Sequence, residues 1–159
     1  MSLSCSKNPA DIEDDKEISA EDSAAIADGF IPIYSFHDLC KIGKDEDLPL
    51  NGRYILVHDI DMPKNNWRTF EPIGSGSRVF NGEFDGRGRT IGKVYIRTPD
   101  SAAAGLFGVI EGAKIHRLNI EADSIIGGTN AWGGEVNVGG VVGKARNSVI
   151  DSCSFKGTV

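Results

Sequence analysis

The chain has 159 residues, 40% of them hydrophobic and 25% charged, which suits one globular domain with its own core. No apolar run approaches the roughly 20 residues of a membrane-spanning helix. The net charge of −6 sits in the head: residues 1–28 hold eight acids against Lys7 and Lys16, leaving 15 acids and 15 bases beyond them, so the body has no basic field to attract nucleic acid.

In chain order, residues 1–29 read as an acidic disordered arm and residues 30–159 as one ordered domain. Cys5 stands in "SLSCSKNPADIEDD", with small residues before it and acids after it. This is similar to the start of a mature bacterial lipoprotein, although only four residues precede Cys5 and they form no signal region. The resemblance implies lipid attachment at Cys5, which would be the chain's one tie to a membrane.

The stretch "FIPIYSFHDLCKIGK" predicts a short amphipathic helix over residues 35–43. Ser35 is a good N-cap with Asp38 three residues on, Phe36, Leu39 and Cys40 share a face, and Gly43 can end the helix in a left-handed conformation. Three scattered cysteines are too few for a disulfide framework or a zinc site, so Cys40 and Cys153, both on apolar faces, are expected as reduced core thiols. "RYILVHDIDM" then predicts an apolar strand buried on both sides, and residues 63–76 read as loop.

From residue 80 an internal repeat is visible. A shift of 24 places "TIGKVYI" (90–96) on "KIHRLNI" (114–120), and a further shift of 35 places that on "VIDSCSF" (149–155). The same shifts align "FNGEF", "AGLFG" and "GGVVG". Only apolar positions survive, in the rule I-x-x-L-x-I after a glycine-rich strand. Three glycines between 104 and 120 argue against a helix, at about 1 kcal/mol each. The spacing also breaks strict alternation, so a bend between 115 and 118 is needed to bring Ile115, Leu118 and Ile120 to one side.

These features predict an all-β parallel β-helix, a solenoid of stacked coils, with a short N-terminal capping helix. Ile91, Ile115 and Ile150 would share one dry column, glycines would serve the corners, and "IIGGTNAWGGE" would be an insertion. The C-terminal edge at "FKGTV" would need more repeats or another subunit to cover it. A leucine-rich-repeat horseshoe is the rival, but Asp123 replaces its expected asparagine and neither other coil extends the match.

"AGLFG" and "VGGVVG", each followed by a glycine-poor strand, resemble the GLUG repeat of bacterial surface proteins. So does the upstream series "YILVHDIDM", "PIGSGS" and "FNGEFDGRGRTIGKVYI". The resemblance implies right-handed β-helical stretches of adhesin-like and autotransporter-like proteins, exposed at the surface or secreted. It also extends to the non-catalytic part of secreted IgA-specific metallopeptidases. The H-E-x-x-H motif of a zinc peptidase is absent from this chain.

Candidate chemistry is sparse. Asp59 and Asp61 of "HDID" point the same way from a strand and could bind calcium or cleave a glycosidic bond, though Asp also caps backbone N–H groups where strands turn. Asp85, Arg87 and Arg89 of "EFDGRGRT" could receive an acidic sugar or serve a lyase, or form a solvated Asp-Gly turn. Trp132, in the insertion, could stack on a sugar ring. No metal or cofactor site is predicted. The expected function is a non-catalytic surface or secreted module for adhesion or display on a host or matrix glycan or protein. The alternatives are a polysaccharide lyase or hydrolase, or an auxiliary segment of a secreted peptidase.

Overall fold

The computed structural model describes residues 18–64, 70–98, 103–128 and 135–159. Two short helices, α1 (Ala20–Ala27) and α2 (Phe36–Lys41), flank the first strand, β1 (Ile31–Ile33). The strands that follow are β2 (Arg53–Leu56), β3 (Ile60–Asp61), β4 (Glu83–Asp85), β5 (Thr90–Thr98), β6 (Ala103–Ala104) and β7 (Phe107–Glu111). After them come β8 (Lys114–His116), β9 (Asn119–Gly127), β10 (Asn137–Val138), β11 (Val142–Arg146), β12 (Val149–Asp151) and β13 (Ser154–Gly157).

Every pairing between these strands is parallel. One sheet runs β1-β2-β4-β8-β12 and a second β13-β9-β5-β3, while β6 pairs with β10 and β7 with β11. Parallel neighbours cannot be joined by a hairpin. From β4 to β11 the chain visits the four sheets twice in the same order, and β12 and β13 rejoin the first two. Glu83 pairs with Lys114, and Lys114 with Val149, so successive passes are 31 and 35 residues apart in this sheet.

α2 forms as its sequence predicts. The Ser35 hydroxyl accepts from the Asp38 N–H at 3.3 Å, Asp38 accepts from the Tyr34 N–H at 3.0 Å, and Gly43 is left-handed at φ 81°. Phe36, Leu39 and Cys40 are buried in the core. Cys40, however, is disulfide-bonded rather than a reduced thiol, while Cys153 is free. The apolar helix face that explains its burial does not distinguish the two states.

The shift of 35 is borne out: Ile115 pairs with Ile150, Ile120 with Phe155 and Phe107 with Val142. The shift of 24 is not. Ile91 pairs with Ile120, a shift of 29, and Phe84 with Ile115, a shift of 31. The columns are therefore Ile31-Tyr54-Phe84-Ile115-Ile150 in one sheet and Ile60-Ile91-Ile120-Phe155 in the other. Ile91 does not share a column with Ile115 and Ile150.

The cause is a coincidence of spacing. In residues 115–120 the irregular step is a corner at Arg117, which has φ 51°. In residues 91–96 it is a bulge inside β5, between Ile91 and Val94, with Lys93 at φ 54°. Two different backbone irregularities thus leave the same apolar pattern. The insertion is shorter than the shifts implied. The offset between passes rises from 29 across β5 and β9 to 34 across β6 and β10, so five extra residues fall between Gly127 and Asn137.

The glycines also differ from expectation. Gly105, Gly108, Gly140 and Gly143 are not left-handed. Gly105, Gly108 and Gly143 permit close approach of backbones, and Gly140 makes room for the Phe155 ring. A Cβ on Gly108 would lie 2.3 Å from the Gly74 carbonyl oxygen, and one on Gly143 would lie 2.9 Å from that of Gly108. The corners themselves recur at Gly112 and Asn147, and at Arg117 and Ser152, each pair 35 residues apart and left-handed. Three of these four residues carry side chains.

Tyr54, Phe80, Phe84 and Phe107 meet in the centre of the core, with Phe84 edge-on to Phe107 at 5.5 Å between centroids. Such pairs add about 0.5–1.5 kcal/mol to burial alone. On β12, the end strand of its sheet, the row opens to water: Ile115 is fully buried, whereas Ile150 is 45% exposed.

Candidate functional site

The turn from β4 to β5 is Asp85 to Arg89, two residues longer than the corresponding turn from β8 to β9. Its shape follows from three local constraints. The Asp85 carboxylate accepts from the Arg87 N–H at 2.9 Å, Arg87 and Gly88 are left-handed, and Gly86 lies where a Cβ would strike the Arg117 carbonyl oxygen at 2.5 Å. Asp85 is buried and held by the Arg117 guanidinium, through Nε at 3.0 Å to Oδ1 and a shorter contact from Nη2 to Oδ2. That carboxylate raises the guanidinium pKa further.

The longer turn presents two more guanidinium groups, and both meet Asp22 of α1. Arg89 Nη2 donates to Asp22 Oδ2 at 2.6 Å, Arg89 Nη1 to Oδ1 at 3.3 Å, and Arg87 Nε to Oδ1 at 3.0 Å. Arg89 is anchored from behind by the Leu56 carbonyl at 2.6 Å. Glu21 lies 3.5 Å from Arg87 at the rim. Arg87 and Arg89 are thus not solvated, as a plain surface turn would have them, but already bind a carboxylate.

The arm therefore needs correction over residues 20–27, which are helical. Ser19 caps the helix, accepting from the Asp22 N–H at 3.1 Å. Asp22 is 1% exposed, and sequence-local reasoning takes it for one more solvated acid because its counterions lie 65 and 67 residues away. Burial opposes its ionisation, yet Arg89, the Ser19 hydroxyl and Arg87 outweigh this and hold its pKa below the ordinary 3.8. A depressed carboxylate pKa stabilises the folded form above the unfolded value and loses that stabilisation as pH falls through the folded one. Attachment of α1 is therefore expected to stay constant from pH 8 to about pH 4 and to loosen only below that. Hydrogen exchange of the α1 amides against pH measures this, and loosening near pH 6 would contradict it.

The "HDID" acids are engaged separately. Asp59 accepts from the Thr90 N–H at 2.7 Å, and Asp61 pairs with Lys93 Nζ at 2.6 Å. Asp61 raises the Lys93 pKa through that hydrogen bond. Both acids are exposed on either side of buried Ile60, so they share a face as predicted. Asp59 is a cap, but for a residue one pass away. His58 rests against Tyr34 at 6.1 Å between centroids, and its Nε2 is buried without a hydrogen-bond partner. Trp132 and Cys5 lie outside the described residues.

One pair escapes the sequence reading: His116 Nε2 lies 3.0 Å from Glu83 Oε1. Glu83 also faces Arg53 at 3.4 Å and Lys114 at 3.8 Å, its neighbours in the sheet register. This is a cross-strand ladder of ion pairs, and only the 31-residue offset could have revealed it. A depression of about 410 Å³ lies elsewhere, lined by Lys44, Asp45, Glu46, Leu50, Arg78 and Asn81 among others, and none of the predicted residues lines it. Among the described residues no group of three or more His, Cys, Asp or Glu side chains is arranged to hold a metal ion.

Residues 134–159 match the family model of the GLUG motif. The match contains Gly140, which faces the Phe155 ring, Gly143 in the strand β11 that pairs with β7, and the strands β12 and β13 of the last pass. No curated protein and no solved structure matches the chain.

Proposed function

We propose that this GLUG-motif chain is a right-handed β-helical scaffold, displayed on a bacterial surface or secreted, that binds or presents rather than catalyses. The observation that carries the reading is the division of labour between positions. The columns that recur from pass to pass are apolar, while each acid considered for chemistry already has a partner: Asp59 a backbone N–H, Asp61 a lysine, Asp85 an arginine. Right-handedness follows from the strong chiral preference of parallel crossovers. α2 then caps the first turn, and Ile150 and Val149, 45% and 55% exposed, mark an edge suited to a further repeat or another subunit. The bound partner is a host or matrix glycan or protein. Turnover of a polysaccharide that disappears in both Asp59→Ala and Asp61→Ala would replace this reading with the lyase or hydrolase alternative.

The disulfide at Cys40 supports placement outside the cytoplasm, since such bonds persist in oxidising compartments. Alkylation of the denatured, unreduced protein followed by mass measurement is expected to leave Cys40 unlabelled and to label the free thiol of Cys153. Burial raises the pKa of that thiol, so it should react slowly in the folded state. A labelled Cys40 would remove the argument for an oxidising compartment, and a lipid-sized mass on Cys5 would establish the membrane anchor.

A further inference from the structure

We infer that the Arg87–Arg89 turn is a receptor for the acidic first turn of a helix, and that α1 is its built-in, displaceable occupant. The inference rests on the reading of the chain as a binding module and assigns the site and class of partner.

The receptor is built independently of α1. The turn holding it is two residues longer than its counterpart in the next pass, and Arg87 adopts a left-handed conformation that side chains disfavour. Asp85 fixes the backbone of that turn, and Leu56 fixes Arg89 through a carbonyl. Two guanidinium groups so held form a fork for one carboxylate, the geometry in which arginine recognises anions most strongly.

The occupant, by contrast, is weakly tied. Asp22 is the one buried residue of α1; Ala25 and Ile26 are only partly covered, and the rest of the helix is exposed. An eight-residue helix is marginal in water, so α1 depends on this docking for its order. Gly29, left-handed at φ 95°, joins the helix to β1, and among the described residues the one side-chain bond to this junction is Arg53 Nη1 to the Asp28 carbonyl at 3.4 Å. An ionic contact with little apolar burial opens at low free energy. Opening exposes a carboxylate fork rimmed by Arg87, which also meets Glu21.

The ligand class follows from the occupant: a helix beginning Ser-x-Glu-Asp, whose capped turn offers two acids on one side. An acidic peptide fits this better than a sugar carboxylate, because both Glu21 and Asp22 are used and the helical spacing sets their separation. In the intact chain α1 competes at the high local concentration of a tethered segment, so free partners are held off until it is displaced.

The test uses the full chain and a peptide of residues 19–30 as probe, followed through the Arg87 and Arg89 side-chain N–H resonances. Asp22→Ala is expected to bind the peptide saturably, the unaltered chain at least tenfold more weakly, and a peptide carrying asparagine at the Asp22 position at least tenfold more weakly than the native peptide. Equal binding by both chains, or no binding to Asp22→Ala, overturns the inference. Saturation by oligogalacturonate but not by the peptide overturns the peptide assignment. Should Asp22→Ala not fold, hydrogen exchange on the unaltered chain decides. α1 amides are expected to exchange at least 100-fold faster than those of β2 and β4, and exchange only with the whole domain makes α1 a fixed part of the fold. Failure here leaves the scaffold reading intact, since that reading stands on the strand register.

Discussion

Leu118→Asp abolishes the folded state. Leu118 is fully buried just after the Arg117 corner, and the backbone of the preceding pass is so near that a Cβ on Gly86 would come within 2.5 Å of its Cα. Replacing leucine removes about 1.5–3 kcal/mol of burial. It also puts a carboxylate where a charge without a partner costs several kcal/mol more. The sum is comparable to the whole stability of an ordinary domain, about 5–15 kcal/mol. Leu118→Met, which conserves volume, is expected to cost less than about 1.5 kcal/mol. Circular dichroism and thermal melting of the two variants separate the cases, and an unchanged melting temperature for Leu118→Asp would place this residue outside the core.

Gly108→Ala is the second large effect, and its size comes from the neighbouring backbone. The new methyl would sit 2.3 Å from the Gly74 carbonyl oxygen, which belongs to the strand-like segment bridged to β7 through Ile73 and Phe107. Backbone cannot rotate aside as a flexible side chain can, so the passes must separate. The expected loss is at the upper end of overpacking penalties, about 3 kcal/mol. Gly112 is the informative control. It is left-handed but surrounded by open space, and the residue 35 positions on, Asn147, adopts the same conformation. Gly112→Asn is therefore expected to change stability by less than about 0.5 kcal/mol. Equal penalties at both positions in urea denaturation would mean that backbone conformation, not contact between passes, explains the motif glycines.

The contrast shows what was legible in the chain. Strand identity, the amphipathic α2 with its Ser35 cap, and the 35-residue offset could all be read because apolar spacing and capping are local signals. The bend between Ile115 and Leu118 was legible too, and is Arg117. The offset of the earlier pass was not, because a bulge at Lys93 imitates that corner. The candidate site was half legible. Arg87 and Arg89 stood out, but their partner Asp22 lay in a segment whose charge suggested solvation, and only the folded topology brings the two together. Glu83 and His116, 33 residues apart, were hidden for the same reason.

The account depends on a chain that repeatedly passes the same sheets, with like positions in lateral contact. Methyl-labelled isoleucine and nuclear Overhauser spectroscopy test this directly, because paired residues on adjacent strands lie about 5 Å apart. Cross-peaks are predicted along Ile60, Ile91 and Ile120, and separately between Ile115 and Ile150. A spectrum lacking the Ile91–Ile120 and Ile115–Ile150 contacts in a folded sample would contradict the register, and with it the proposed scaffold.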